Sequence, residues 1–158
     1  MDAGLVDALR TGVLVVDGAM GTQLHERGVP YSACFEALNL SAPDLIVQLH
    51  ADYVRAGAQV IETNSFGANA LRLEQHGLAG RVADINAAAV RIACDATAGR
   101  AYVAGAMGPS GLLLGDASTS DLDDVRSALL AQAHVLLDAG VDALVVETMR
   151  QPNELRVA

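Results

Sequence analysis

Lysine is absent from this 158-residue chain, and so is tryptophan. Without a lysine there is no Schiff-base amine, which removes that class of aldolase chemistry. Aromatic residues make up only 3% of the chain, so a core has to be built from aliphatic side chains and alanine. Two cysteines, Cys34 and Cys94, are too few and too far apart for a disulfide framework. Both read as small core residues, and a reducing cytoplasm is the expected home. His25, His50, His76 and His134 are scattered, with no His-x-x-x-His or Cys-x-x-Cys spacing, so no metal site is expected within the chain itself. Neither a Gly-x-Gly-x-x-Gly nor a Walker pattern occurs, which weakens dinucleotide and nucleotide readings. No run approaches the ~18 apolar residues of a membrane span, and the first residues lack the basic and apolar regions of a signal peptide. Arginines never cluster and the net charge is −9, which argues against nucleic acid or an anionic membrane as partner.

Hydrophobic residues make up 52% of the chain, enough for one domain with a sizeable core. Residues 4–11 read as a leading helix. The run Val13 to Val16 has no polar alternation, as in a strand buried on both faces of a parallel sheet. Thr22 to Arg27 is a short helical piece stopped by Gly28 and Pro30. A helix opens at Ser41-Ala-Pro43-Asp44, with Ser41 as N-cap, carries Leu45, Leu49, Tyr53 and Val54 on one face, and ends at Gly57. A second strand is expected at 59–63, a long helix at 79–98, a third strand at 101–107 and a polar loop over 112–120. A helix at 121–139 and a fourth strand at 143–148 follow, and Pro152 opens a last helix. Strands alternating with helices imply parallel pairing. An internal echo supports repetition: Tyr53-Val-Arg-Ala-Gly57 leads to Glu62-Thr63, as Leu136-Leu-Asp-Ala-Gly140 leads to Glu147-Thr148. Four βα units are half of a (β/α)8 barrel, and a doubly wound open sheet is the alternative.

In such folds ligands gather outside the carboxyl ends of the strands. Those ends hold Asp17 with the glycine-bracketed loop Gly18-Ala-Met-Gly21, then Glu62-Thr63-Asn64 with Phe66, then Gly108-Pro-Ser110, then Glu147-Thr148. Carboxylates there would take an ammonium group and loop N–H groups a carboxylate, so a small zwitterion is the expected ligand. Capping of turns by Asp17, Glu62, Thr63, Asn64 or Glu147, and ordinary packing by Phe66, are the structural alternatives.

Several motifs then fall in one order: Asp17-Gly-Ala-Met-Gly-Thr22, Cys34-Phe-Glu-Ala-Leu-Asn39, Ala56-Gly-Ala-Gln-Val-Ile-Glu-Thr-Asn-Ser-Phe-Gly-Ala-Asn69, Val103-Ala-Gly-Ala-Met-Gly-Pro109 and Val145-Val-Glu-Thr148. Together they resemble the homocysteine S-methyltransferase family, across nearly all of this chain. The resemblance implies the (β/α)8 barrel (TIM-barrel) fold and transfer of a methyl group to homocysteine, whose sulfur zinc holds as thiolate. By that likeness Asp17 and Glu147 hold the substrate ammonium. Gly18, Ala19, Met20 and Gly21 approach its carboxylate, and Thr63, Asn64 and Phe66 line the pocket.

The family's zinc ligands, in a Gly-x-Asn-Cys loop and a Gly-Gly-Cys-Cys segment, have no counterpart among these residues. Residues 1–158 therefore read as the N-terminal half of the barrel: the amino-acid half of the site, with Zn2+ expected in the full-length protein and the methyl donor unspecified. Alone, the chain is expected to be inactive, and to self-associate or be completed by the missing half. The alternative is a non-catalytic half-barrel module that dimerises or pairs with another chain.

Overall fold

The computed structural model describes residues 4–114 and 119–158. Helix α1 (Leu5–Thr11) leads, followed by α2 (Met20–Glu26), α3 (Leu38–Ser41) and α4 (Pro43–Ala56). Strand β1 (Val60–Glu62) precedes α5 (Ala70–Glu74), and a 3₁₀ turn at Ala79–Arg81 runs into α6 (Val82–Thr97). Strand β2 (Tyr102–Met107), α7 (Thr119–Asp138), β3 (Ala143–Val146) and α8 (Pro152–Val157) complete the chain. The polar loop expected over 112–120 lies partly outside the described residues.

The described strands form one parallel sheet in the order β1-β2-β3. Every residue of β2 is buried, so it is this central strand that shows the two-sided burial expected of Val13 to Val16. The 13–17 segment is instead an edge, joined to the sheet by a single parallel bridge between Val16 and Val60. Gln59 N donates to Val15 O at 2.7 Å and Asp17 N to Val60 O at 3.0 Å. Val15 N, however, is taken by the Gln59 side chain at 3.2 Å, which ends the ladder. Among the described residues no strand lies outside it, and Val13 is 91% exposed and Val16 48%. The expected four strands are thus three plus a bridged edge.

Helices α4, α6 and α7 pack on one face of the sheet. Ile61, Ala93 and Val103 form part of the buried layer, with Val90, Met107, Leu129 and Leu136 further along. Small side chains on α6 (Ala88, Ala89, Ala93) let it lie close to its neighbours. On the other face Val60, Tyr102 and Ala104 meet Leu5, Ala8 and Leu14.

The internal echo is a geometric repeat. Gly57 (φ 107°) and Gly140 (φ 96°) both take the left-handed conformation that ends a helix without steric cost. Ala58 N reaches back to Tyr53 O, and Val141 N to Leu136 O, so each helix delivers its strand by the same turn. Two local expectations are corrected. Ser41 is not the cap of α4: it closes α3, its hydroxyl bonds Ala37 O at 3.2 Å, and Ala42 stands at the N-cap without a side-chain bond. Helix α5 was not anticipated; Asn69, whose side chain accepts from Arg72 N, starts it.

Candidate functional site

Parallel register brings the acids together. Asp17 follows the Val16–Val60 bridge, Glu62 ends β1 opposite Ala104, and Glu147 follows the Met107–Val146 pair, with its N–H on Met107 O at 3.0 Å. All three line one cavity of about 560 Å³ at the carboxyl edge of the sheet. That volume suits a small-molecule site.

The acids are held under strain of charge. Burial pushes the Asp17 carboxyl up to about 7, with the nearby Glu62 and Glu147 charges adding to it, although the Glu62 N–H, 3.1 Å from Oδ2, works the other way. Glu62 is also raised, first by burial and then by the charge of Glu147 and a hydrogen bond to its carboxyl. A cluster that resists losing its last proton is one a ligand cation would stabilise.

Each loop has a reason for its sequence. A Cβ at Gly18 would meet the Tyr53 ring at 3.1 Å, and one at Gly21 would meet Phe35 at the same distance. The Tyr53 hydroxyl bonds Ala19 O at 3.1 Å, so the 17–21 loop is seated on α4. Gly18, Ala19, Met20 and Gly21 all line the cavity, and no side chain caps the start of α2.

Thr63 and Asn64 reach the cavity wall with their polar atoms already engaged. Ala106 N donates to Thr63 Oγ1 at 3.1 Å, and Ser65 Oγ donates to Ala106 O at 2.8 Å. The Ser65 proton is thereby spent on a carbonyl, so in the 2.6 Å contact between the two hydroxyls Thr63 is the donor. Asn64 Nδ2 bonds Phe35 O and Asn39 Oδ1, while Asn39 Nδ2 returns to Asn64 O at 2.8 Å. Phe66 is half-buried on the wall, against Gly108.

The cysteines differ from their expected burial. Cys34 is half-buried on the cavity wall, and Cys94 is exposed on α6. Burial and the neighbouring Glu36 carboxylate raise the Cys34 thiol, whose Sγ stands 3.5 Å from Glu36 Oε2. Sequence reading passed over Glu36, which accepts the Gly67 N–H at 2.7 Å, and Arg72, which also lines the cavity. Neither lies at a strand end, the signal used to select candidates. Among the described residues no three His, Cys, Asp or Glu side chains form a group that could hold a metal ion. No described helix is long and apolar enough to cross a membrane.

A parallel α/β sheet with acids gathered around a cavity at its carboxyl edge is the arrangement in which α/β domains place small-molecule sites. The chain belongs to the homocysteine S-methyltransferase family, whose profile matches residues 14–158. It is 36% identical over 169 aligned residues to a methionine synthase of Mycobacterium tuberculosis, covering 99% of this chain and 14% of that protein. It is 34% identical to a homocysteine S-methyltransferase of Escherichia coli, covering 90% of this chain and 52% of the relative. The crystal structure of the homocysteine methyltransferase MmuM from Escherichia coli in its metallated form superposes with a TM-score of 0.80 at 29% identity, over 97% of this chain and 60% of that one. The chain thus spans about half of one curated relative and a small part of the other.

Proposed function

We propose that this chain forms the amino-acid-binding part of a homocysteine S-methyltransferase, which makes methionine by methyl transfer to the homocysteine sulfur. The observation that carries the reading is the convergence of Asp17, Glu62 and Glu147 on one cavity beside the 17–21 loop. The substrate ammonium takes the place of the proton that the crowded acids retain. Its carboxylate lies toward the N–H groups of Gly18 to Gly21, and Phe66 bounds the apolar side. Each role is one that the side chain's charge and position permit.

The resemblance further implies zinc on the substrate sulfur, and the related Escherichia coli protein has a metallated form. The residues described in this chain do not make a metal centre. In the proposed arrangement the zinc ligands come from the part of the barrel that these 158 residues do not include, and the chain's own task is to bind and orient the amino acid.

Calorimetric titration of the 158-residue chain with L-homocysteine tests this directly. Saturable binding is expected, weakened tenfold or more in Glu147→Gln and abolished for 4-mercaptobutyrate, which lacks the amine. Equal binding of homocysteine and 4-mercaptobutyrate would exclude the reading.

A further inference from the structure

The segment Cys34-Phe-Glu-Ala-Leu-Asn39 takes no part in the substrate contacts proposed above, yet it touches both loops that make them. On one side its Phe35 ring backs the 17–21 loop: a Cβ on Gly21 would stand 3.1 Å from ring atom Cε2. On the other side three of its residues hold the loop after β1. Phe35 O accepts from Asn64 Nδ2 at 2.8 Å, and Asn39 Nδ2 donates to Asn64 O at 2.8 Å. Glu36 Oε1 accepts the Gly67 N–H at 2.7 Å. Phe66, whose ring stands on the cavity wall, falls between the two anchored positions.

These bonds differ in kind. Asn39 and Asn64 are buried and close on each other inside the fold. Glu36 is half-buried on the cavity wall and brings a carboxylate to a backbone N–H, a charge-assisted bond stronger than its neutral neighbours. The approach is close: a Cβ on Gly67 would stand 2.6 Å from Glu36 Oε1, so a side chain there would displace the carboxylate. The other oxygen, Oε2, accepts from Cys34 Sγ at 3.5 Å, which steadies the carboxylate from its own segment.

We propose that Glu36 is a positioning residue of the amino-acid site, which holds Gly67 so that Phe66 stays fixed over the cavity. The inference rests on the homocysteine reading, in which Phe66 bounds the apolar side of the ligand. Glu36 acts through that ring and not on the ligand, its acceptor oxygen being spent on the backbone.

Phe35 and Phe66 are the chain's two phenylalanines, so labelling with 4-fluorophenylalanine gives two fluorine resonances, assigned through Phe35→Leu. Spectra of the free chain and calorimetric titration with L-homocysteine are compared for wild type, Glu36→Ala, Glu36→Gln, Gly67→Ala and the double variant Glu36→Ala/Gly67→Ala. Gly67→Ala breaks the bond from the other side, and its Cβ meets closely only the flexible end of Glu36, so the fold is kept. Glu36→Ala and Gly67→Ala are each expected to shift or broaden the Phe66 resonance and to weaken homocysteine about tenfold. The double variant should lose no more than the weaker single one, because both changes break one bond. Glu36→Gln keeps an acceptor oxygen and should stay within about threefold of wild type.

An unmoved Phe66 resonance in Glu36→Ala overturns the assignment, and so do additive losses in the double variant. Equal losses in Glu36→Gln and Glu36→Ala also overturn it, and would make Glu36 one more charge attracting the ammonium group. A wild-type chain that does not bind homocysteine overturns the methyltransferase reading, and the fluorine spectra of the free chain then decide the Glu36–Phe66 link by themselves.

Discussion

Gly108 lies against the ring of Phe66. Its N–H donates to Phe66 O at 2.8 Å, and a Cβ on it would stand 2.5 Å from ring atom Cε2. The glycine thereby sets how far the ring stands over the cavity. Gly108→Ala is expected to push the ring outward and to cost about 1–3 kcal/mol of stability by overpacking. A urea melt together with homocysteine titration measures both. Unchanged values would mean that the ring moves aside freely.

Half-buried Asp17 and fully buried His50 tilt the pH dependence of stability in opposite directions. Asp17 titrates near 3.8 when unfolded and about 7 when folded, so the stability it contributes is present at low pH and lost as pH rises across that interval. His50 is fully buried on α4 with both ring nitrogens unpartnered, and burial lowers it from 6.5 to about 4. Its contribution is present above 6.5 and lost as pH falls toward 4. Between about 4 and 6.5 the two slopes oppose each other, and a nearly flat Tm is expected there. Asp17→Asn should tilt the profile toward the histidine slope, a rise of up to about 3 kcal/mol over that interval, with the raised Glu62 still opposing part of it. His50→Leu should uncover the opposite slope, of about 2 kcal/mol after allowance for solvent screening at the partly exposed Asp17. Parallel profiles in wild type and both variants would refute the assignment.

If the ligand ammonium replaces a proton held by the acid cluster, binding releases that proton. Homocysteine affinity should then rise with pH up to about 7 and level off above it. Calorimetry at pH 6 in buffers of different ionisation enthalpy should show up to one proton released per ligand. Buffer-independent heats would count against it.

Thr63 Oγ1 accepts the Ala106 N–H and donates to Ser65, so it joins β1 to β2 next to the cavity. Thr63→Val strands the buried Ala106 N–H and should cost about 1–3 kcal/mol. Thr63→Ser, which keeps the hydroxyl, should recover most of it. A denaturant series on the three proteins decides.

The chain-order pattern of helices and strands was legible because it rests on local chemistry: Gly57 and Gly140 end helices by backbone freedom, and Pro43 and Pro152 open them. The acids at strand ends were legible for a related reason, since parallel pairing leaves successive strand ends on one edge. Val13 to Val16 misled because an apolar run records a preference for burial and not which neighbour provides it. Among the described residues no strand covers the outer edge. Ser41 misled because a capping side chain has to compete with the end of the preceding helix, which claims its hydroxyl.

By itself the sequence determined the alternation of elements, the parallel sense of the sheet and the acid-bearing edge, all consequences of spacing along the chain. Only the tertiary structure decided which groups share a space: the crowding that raises Asp17, the Thr63–Ser65–Ala106 stitch, and the burial of His50 with no hydrogen-bond partner among the described residues. Those depend on burial and on distances between residues far apart in sequence, which periodicity does not encode.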